Sequence, residues 1–266
     1  DKRIKMSTAM ITEPQFEALE IPLDHTRDPK PDKIHIGLVQ LSTDHSLEMD
    51  WAKLIGTSAL FFSTRVYYSS VMTKEALNEI AKGITDAAGL IAAGLPMDVM
   101  AFGCTSASMV IGSKKIEELL TVHHPGLPAT NPWRAAKAAF RHLGAQKVSV
   151  FSPYPTPVNY PLYRELLDEG FDVPAIGALR IQNDTDITAV SYESMLKGAA
   201  QILDQAPTDL LFMSCTNLRV LDHIEKLEAS LGIPVVCSNQ AMYWHAMVLA
   251  GKRPECKGYG RLLTGG

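Results

Sequence analysis

Two ten-residue segments of the chain share one frame. Pro96-Met97-Asp98-Val99-Met100-Ala101-Phe102-Gly103-Cys104-Thr105 and Pro207-Thr208-Asp209-Leu210-Leu211-Phe212-Met213-Ser214-Cys215-Thr216 both read Pro-x-Asp, then an apolar run, a small residue and Cys-Thr. Upstream of each, at nearly equal distance, another apolar run ends in serine, Ser42 or Ser152. Self-similarity on this scale predicts two related halves, each ending an equivalent strand in Cys-Thr. Around the frames, strand-length runs alternate with helical periods. Strands are predicted at 34–41, 59–63, 97–103, 148–152, 175–181, 209–214 and 235–238. Helices are predicted at 74–93, 108–120, 135–143, 161–169, 192–205, 218–231 and 240–249. Such alternation calls for an α/β fold, a parallel sheet with helices on both faces.

The 266 residues are 46% hydrophobic, enough for a sizeable core, and carry a net charge of −4. Mild acidity without a basic cluster gives no footing for nucleic acid or an anionic membrane. No apolar run reaches the roughly 18 residues that span a bilayer. Asp1 to Met6 lack the apolar core of a signal peptide, so a cytoplasmic protein is expected. Residues 1–33, interrupted by Pro14, Pro22, Pro29 and Pro31, read as an N-terminal arm. The remainder is expected to divide into one half from 34–132 with 240–266 and a second from 133–239.

Four cysteines are too few and too scattered for a disulfide framework, and none has zinc-ligand spacing. The sequence has no phosphate loop, no Gly-x-Gly-x-x-Gly and no Gly-x-Ser-x-Gly elbow. No cofactor and no metal are therefore expected. A lone strand-end cysteine is more often buried filler than a reactive group. The doubled frame argues otherwise, because packing alone gives no reason for both copies to read Cys-Thr. Ligand sites of open parallel sheets form at the carboxyl ends of the strands. Helices expected to start near Ser106 and Asn217 would favour a thiolate at Cys104 and Cys215. The amides of Thr105, Ser106, Thr216 and Asn217 could hold a substrate carboxylate or an enolate oxygen. A pseudo-twofold axis would then put one thiol on each side of a cleft. A thiolate and a thiol facing one carbon can remove a proton from one face and return it on the other.

At these residues the sequence resembles the aspartate/glutamate racemase superfamily. The nearest branch holds maleate cis–trans isomerases and arylmalonate decarboxylases, with the related ectoine-utilisation protein. The resemblance is carried by Gly37-Leu38-Val39, Ser42-Thr43-Asp44, Phe102-Gly103-Cys104-Thr105-Ser106, Ser152-Pro153-Tyr154, Asn183-Asp184, Ser214-Cys215-Thr216-Asn217-Leu218-Arg219 and Ser238-Asn239-Gln240-Ala241. It implies two pseudo-symmetric halves, each with a four-stranded parallel sheet, and an active site in the cleft between them. By position, Cys104 is implied as nucleophile or base and Cys215 as the opposing acid or base. Ser42, Thr43, Asp44, Thr105, Ser106, Tyr154, Asn183, Thr216 and Asn217 are implied to bind the substrate, a small carboxylic or amino acid. Read as residues alone, Tyr154 and Asn183 are equally ordinary turn residues. A homo-oligomer is expected.

The chain departs from the family pattern twice. Decarboxylases of this group keep only the second cysteine, so the presence of both favours an isomerase or racemase. Isomerases carry Ser-Asn-Thr after the first strand, where the Asn anchors a carboxylate; here the stretch reads Ser42-Thr43-Asp44-His45, and an acid at Asp44 suits an ammonium or hydroxyl group better than a carboxylate. An amino-bearing acid of the kind met in ectoine breakdown would fit. Two other readings stay open: decarboxylation with Cys215 as proton donor, and a non-catalytic ligand-binding or redox-sensing protein in which the two thiols pair reversibly. Cys237 reads as filler, Cys256 needs no role, and His245 reads as a core histidine. His123-His124 reads as an exposed loop, and Arg65 suits either a substrate carboxylate or a salt bridge.

Overall fold

The computed structural model describes residues 10–26 and 33–264. Residues 10–26 belong to a unit of their own, with one short helix, α1 (Glu13–Glu17), exposed throughout. The rest of the arm predicted at 1–33 lies outside the described residues, Lys33 excepted.

The body carries two four-stranded sheets of the same topology. The first consists of β1 (Ile34–Leu41), β2 (Ala59–Val66), β3 (Val99–Gly103) and β4 (Ala129–Thr130), in the order β2-β1-β3-β4. The second consists of β5 (Val148–Ser152), β6 (Ile176–Ala178), β7 (Leu210–Met213) and β8 (Val235–Cys237), in the order β6-β5-β7-β8. Every pairing is parallel. All eight residues of β1 are buried, as expected of a strand covered on both faces. The two halves of the repeat therefore fold alike.

The aspartate of each frame has a structural task. Asp98 Oδ2 accepts the His35 amide at 2.7 Å, and the Asp98 amide donates to the His35 carbonyl at 2.8 Å. In the other half Asp209 Oδ2 accepts the amides of Gln146 and Lys147 at 3.0 and 2.8 Å, and its own amide donates to the Lys147 carbonyl. Each aspartate thus pins the start of a cysteine-bearing strand to the start of its neighbour, β3 to β1 and β7 to β5. The small residue of the first frame is constrained too: a Cβ on Gly103 would come within 2.2 Å of Leu47 Cδ2, so any larger residue there would force the Leu47 side chain to shift.

Helices α2 (Leu47–Leu54), α3 (Lys74–Glu79), α4 (Ala81–Gly89), α5 (Thr105–Ile111) and α6 (Ser113–Leu120) belong to the first part of the chain. They are followed by α7 (Pro132–His142), α8 (Thr156–Asp168), α9 (Tyr192–Leu203), α10 (Ile224–Leu231) and α11 (Ser238–Leu249). Helix α11 follows β8 but packs on α7, α2, β3 and β4, which ties the two sheets together. Trp51, fully buried, lies edge-on to Phe61 and Tyr243 and donates its indole N–H to the Asn239 carbonyl at 3.2 Å.

Several predicted elements differ in extent. The helix predicted at 108–120 starts at Thr105 and breaks at Gly112, whose φ of 93° interrupts the helical path. The helix predicted at 74–93 is two helices ending at Gly89. The helix predicted at 218–231 begins with a single 3₁₀ turn, Leu221–His223, so no helix starts near Asn217. Helix α2 and the two-residue β4 were not predicted; β4 lies between Pro128 and Pro132 and is too short to show a period.

Candidate active site

Both cysteines leave the carboxyl ends of central strands, Cys104 after β3 and Cys215 two residues after β7. Each is 5% exposed and a free thiol. Their local geometries nevertheless differ. Cys104 is extended, with φ −156°, and caps α5: its sulfur accepts the Ala107 amide at 3.4 Å and lies 3.5 Å from Ser106 Oγ. Cys215 has φ 118°, a region that side-chain-bearing residues rarely adopt. Such strain persists only where surrounding contacts over-determine it, and it clusters at functional sites. Here the Cys215 amide donates to Ser238 Oγ at 3.0 Å, while Thr105 Oγ1 donates to the same oxygen at 2.8 Å. Ser238, the first residue of α11, thus links the two Cys-Thr segments through one buried hydroxyl.

A second link crosses at Asn217. Its Oδ1 accepts the His45 amide at 2.8 Å, and its Nδ2 donates to the Thr43 carbonyl at 3.0 Å and to Asp184 Oδ2 at 2.9 Å. A third is antiparallel: Met72 donates to the Gln182 carbonyl and Asp184 to the Ser70 carbonyl, joining the loops after β2 and β6. This pairing turns the Asn183 side chain outward, where Ser70 Oγ donates to it, and brings the Asp184 carboxyl inward. Thr43 Oγ1 donates to Asp184 Oδ2 at 2.6 Å.

The other nominated residues have these positions. Ser42 is exposed, and its hydroxyl accepts the Tyr68 amide at 3.0 Å. Asp44 Oδ1 accepts the amides of Ser46 and Leu47 at 2.9 and 2.8 Å, capping the first turn of α2, while its buried Oδ2 has no partner. The Thr216 hydroxyl lies close enough to Asp44 to favour its charged form, and the Thr216 carbonyl accepts from Asn239 Nδ2 at 2.9 Å. Tyr154 is fully buried; its hydroxyl accepts from Ser214 Oγ at 3.4 Å and lies beside the Cys215 sulfur, where it stabilises the thiolate.

Two residues were not nominated as site residues from sequence. Asp184 is the first; its charge bears on Cys104 and Cys215 alike. Tyr68 is the second; it is buried, and the two thiols and Asp184 bear on it. No sequence signal marked Tyr68. Asp184 stood beside the nominated Asn183, and only the loop pairing shows which of the two side chains turns in.

Burial decides the charge states. It pushes Cys104 up to about 12 and Cys215 well above the ordinary thiol range, and Asp184 adds to both shifts. The expectation of a dipole-stabilised thiolate therefore does not describe the resting site: desolvation outweighs the N–H contacts, and Cys215 heads no helix. Burial also raises Asp184 to about 6, although the Thr43 and Asn217 contacts oppose it. Asp44 is raised by burial too.

Arg65 pairs with Glu48 and donates to the carbonyls of Leu41 and Asp44. His245 is within 2.7 Å of Thr130 Oγ1, and burial lowers it to about 4. Cys237 ends β8, and burial raises it to about 12. Among the described residues, no group of three or more His, Cys, Asp or Glu side chains is arranged to hold a metal ion, and no helix is long and apolar enough to cross a membrane.

Close by, Asp50 accepts from Asn239 Nδ2 at 2.8 Å, and burial raises its carboxyl from 3.8 to about 6. Between those values the folded state keeps a proton that the unfolded chain has lost, so stability falls as pH rises through that window. Asp50→Asn should remove this loss, stabilising the protein by about 3 kcal/mol at pH 8 and leaving it unchanged at pH 3.5. Urea melts at the two pH values check this; an equal gain at both contradicts it.

The arylmalonate decarboxylase family model matches residues 37–263. An arylmalonate decarboxylase from Bordetella bronchiseptica is 32% identical over 52% of this chain, a match that spans 58% of that enzyme. A maleate isomerase from Nocardia farcinica is 28% identical over 86% of this chain and 94% of its own length. Among solved structures, a maleate isomerase variant from Pseudomonas putida with maleate superposes with a TM-score of 0.80 at 21% identity, covering 87% of this chain and 98% of that one. The Nocardia farcinica maleate cis–trans isomerase, as a cysteine-to-serine mutant with a covalently bound succinylcysteine intermediate, superposes at 0.78 with 24% identity, covering 88% and 99%. With its doubled parallel sheets and a family match that spans both Cys-Thr frames, the chain belongs to the arylmalonate decarboxylase family, in the aspartate/glutamate racemase-like branch that holds the maleate isomerases.

Proposed function

We propose that the chain is a cofactor-independent two-cysteine isomerase or racemase of a small carboxylic or amino acid. The observation that carries this is the placement of Cys104 and Cys215 at matched strand ends, buried and near enough for their charges to interact. In an isomerisation, Cys104 gives up its proton to solvent, and the resulting thiolate adds to the substrate double bond and forms an S–C bond. The π electrons shift toward the carboxylate-bearing side, and Cys215 gives its proton to that carbon. Rotation about the new single bond, return of the proton to Cys215 and loss of Cys104 complete the cycle. In a racemisation, one thiolate removes the α-proton while the opposing thiol supplies another. Ser106 and the Ala107 amide stabilise the Cys104 thiolate, and Tyr154 stabilises that of Cys215. The covalent succinylcysteine in the Nocardia relative supports the addition route.

Candidate acids incubated in deuterated water with the wild type, Cys104→Ser and Cys215→Ser test this. Both substitutions are expected to lower isomerisation or α-proton exchange about a thousandfold. The family match favours a second reading, decarboxylation with Cys215 as proton donor. Turnover that survives Cys104→Ser and releases carbon dioxide would replace the first reading with the second.

A further inference from the structure

We propose that Asp184 and Asp44 form a cation subsite beside the paired thiols, so that the substrate carries an ammonium group or similar cation in addition to its carboxylate. This rests on the two-cysteine reading and adds the charge of the substrate to it. Three observations carry it. First, Asp44 and Asp184 interact with each other, and both bear on Cys104. Second, Asp44 is 2% exposed, its Oδ1 is spent on the amides of Ser46 and Leu47, and its Oδ2 makes no well-directed hydrogen bond, with the Thr216 hydroxyl near the carboxyl. A buried carboxylate oxygen left unpaired is costly, and a donor arriving with the ligand removes the cost. Third, the cations within reach compensate the pair only in part, Arg65 acting on Asp44 and His45 on Asp184. Arg65 is engaged by Glu48 and two carbonyls, and His45 is exposed.

The same charges decide which ligands are excluded. Two like charges held close together in a buried site repel strongly. A dicarboxylate beside Asp184 and Asp44 meets that repulsion, and an ammonium acid gains the opposite sign. Asp184 also opposes ionisation of both thiols. A bound cation offsets its field and so removes one of the causes that raise the thiols, burial being the largest.

The test uses the Cys104→Ser/Cys215→Ser double variant, which cannot turn substrate over, so binding is read apart from chemistry. Calorimetry compares β-alanine and γ-aminobutyrate, each a carboxylate with an ammonium group, with succinate, maleate and the neutral-amide acid maleamate. The ammonium acids are expected to bind at least about tenfold tighter than the others, a difference of about 1.4 kcal/mol. Adding Asp184→Asn or Asp44→Asn should erase that preference. A second readout keeps the two thiols. In the otherwise native protein, Asp184→Asn should speed iodoacetamide alkylation of Cys104 at neutral pH about tenfold. Succinate, maleate or maleamate binding as tightly as the ammonium acids, no binding of either ammonium acid, or a preference indifferent to both Asp substitutions would overturn the subsite. Those results would leave the two-cysteine reaction standing. Conversely, an intact ammonium preference in a wild type that exchanges no proton would sink the reaction and keep the subsite.

Discussion

The Cys215→Gly substitution is expected to lower turnover about a thousandfold while giving a protein more stable than Cys215→Ala. The two effects have separate causes. The thiol is the proposed proton donor on its face of the substrate, so its removal leaves the carbanion without an acid. The backbone at position 215 has φ 118°, which glycine adopts freely and alanine does not. Strain of this kind costs about 1–3 kcal/mol, and glycine returns part of that in unfolded-state entropy. The glycine variant should therefore melt above the alanine variant by about 1 kcal/mol of stability. Thermal melts of both, beside deuterium exchange on each, decide the matter. An alanine variant that melts at or above the glycine variant would show that the positive φ carries no strain.

Asn217→Ala should be the most destabilising single change at the site, by about 3–5 kcal/mol. The side chain is 1% exposed and serves the His45 amide, the Thr43 carbonyl and the Asp184 carboxylate at once. Its loss leaves the His45 amide and the Thr43 carbonyl without this partner, and it leaves the carboxylate proposed to hold the substrate cation with the Thr43 hydroxyl alone. Asn217→Asp separates packing from charge. That variant keeps the acceptor for His45 but sets a second carboxylate against Asp184, whose own ionisation is already raised to about 6. Below that value the pair shares a proton; above it the two charges repel. The stability deficit of Asn217→Asp should consequently grow steeply as pH rises from 5 to 8, whereas that of Asn217→Ala, which loses one hydrogen bond to the charged carboxylate but adds no like charge, should grow less over the same range. Denaturant melts at both pH values measure this, and parallel behaviour of the two variants would rule out a charged Asp184 as the partner.

Much of the scaffold was readable in the chain, because its signals are local or periodic. Runs such as 34–41 and 148–152 are mostly apolar and buried throughout, as strands covered on both faces are, and they match β1 and β5 residue for residue. Helix α9 was legible from its 3.6-residue period, and it ends two residues short of the predicted limit. Breaks were less legible. Gly112 sits within an apolar pattern that continues through it, and its positive φ is a property of the folded turn.

What the sequence by itself determined is the frame: two strands beginning at an aspartate and ending in a small residue and Cys-Thr, and hence two sheets of one topology with a thiol at the end of each. Both the strand alternation and the repeat are one-dimensional patterns, so one dimension suffices to see them. Tertiary structure alone decided what surrounds those thiols. It turned Asp184 inward and Asn183 outward through an antiparallel contact between distant loops, spent one oxygen of Asp44 on capping α2, and held Cys215 at a positive φ through Ser238. It also reversed the expected charge state, since desolvation depends on every atom packed around a sulfur and not on its neighbours in the chain.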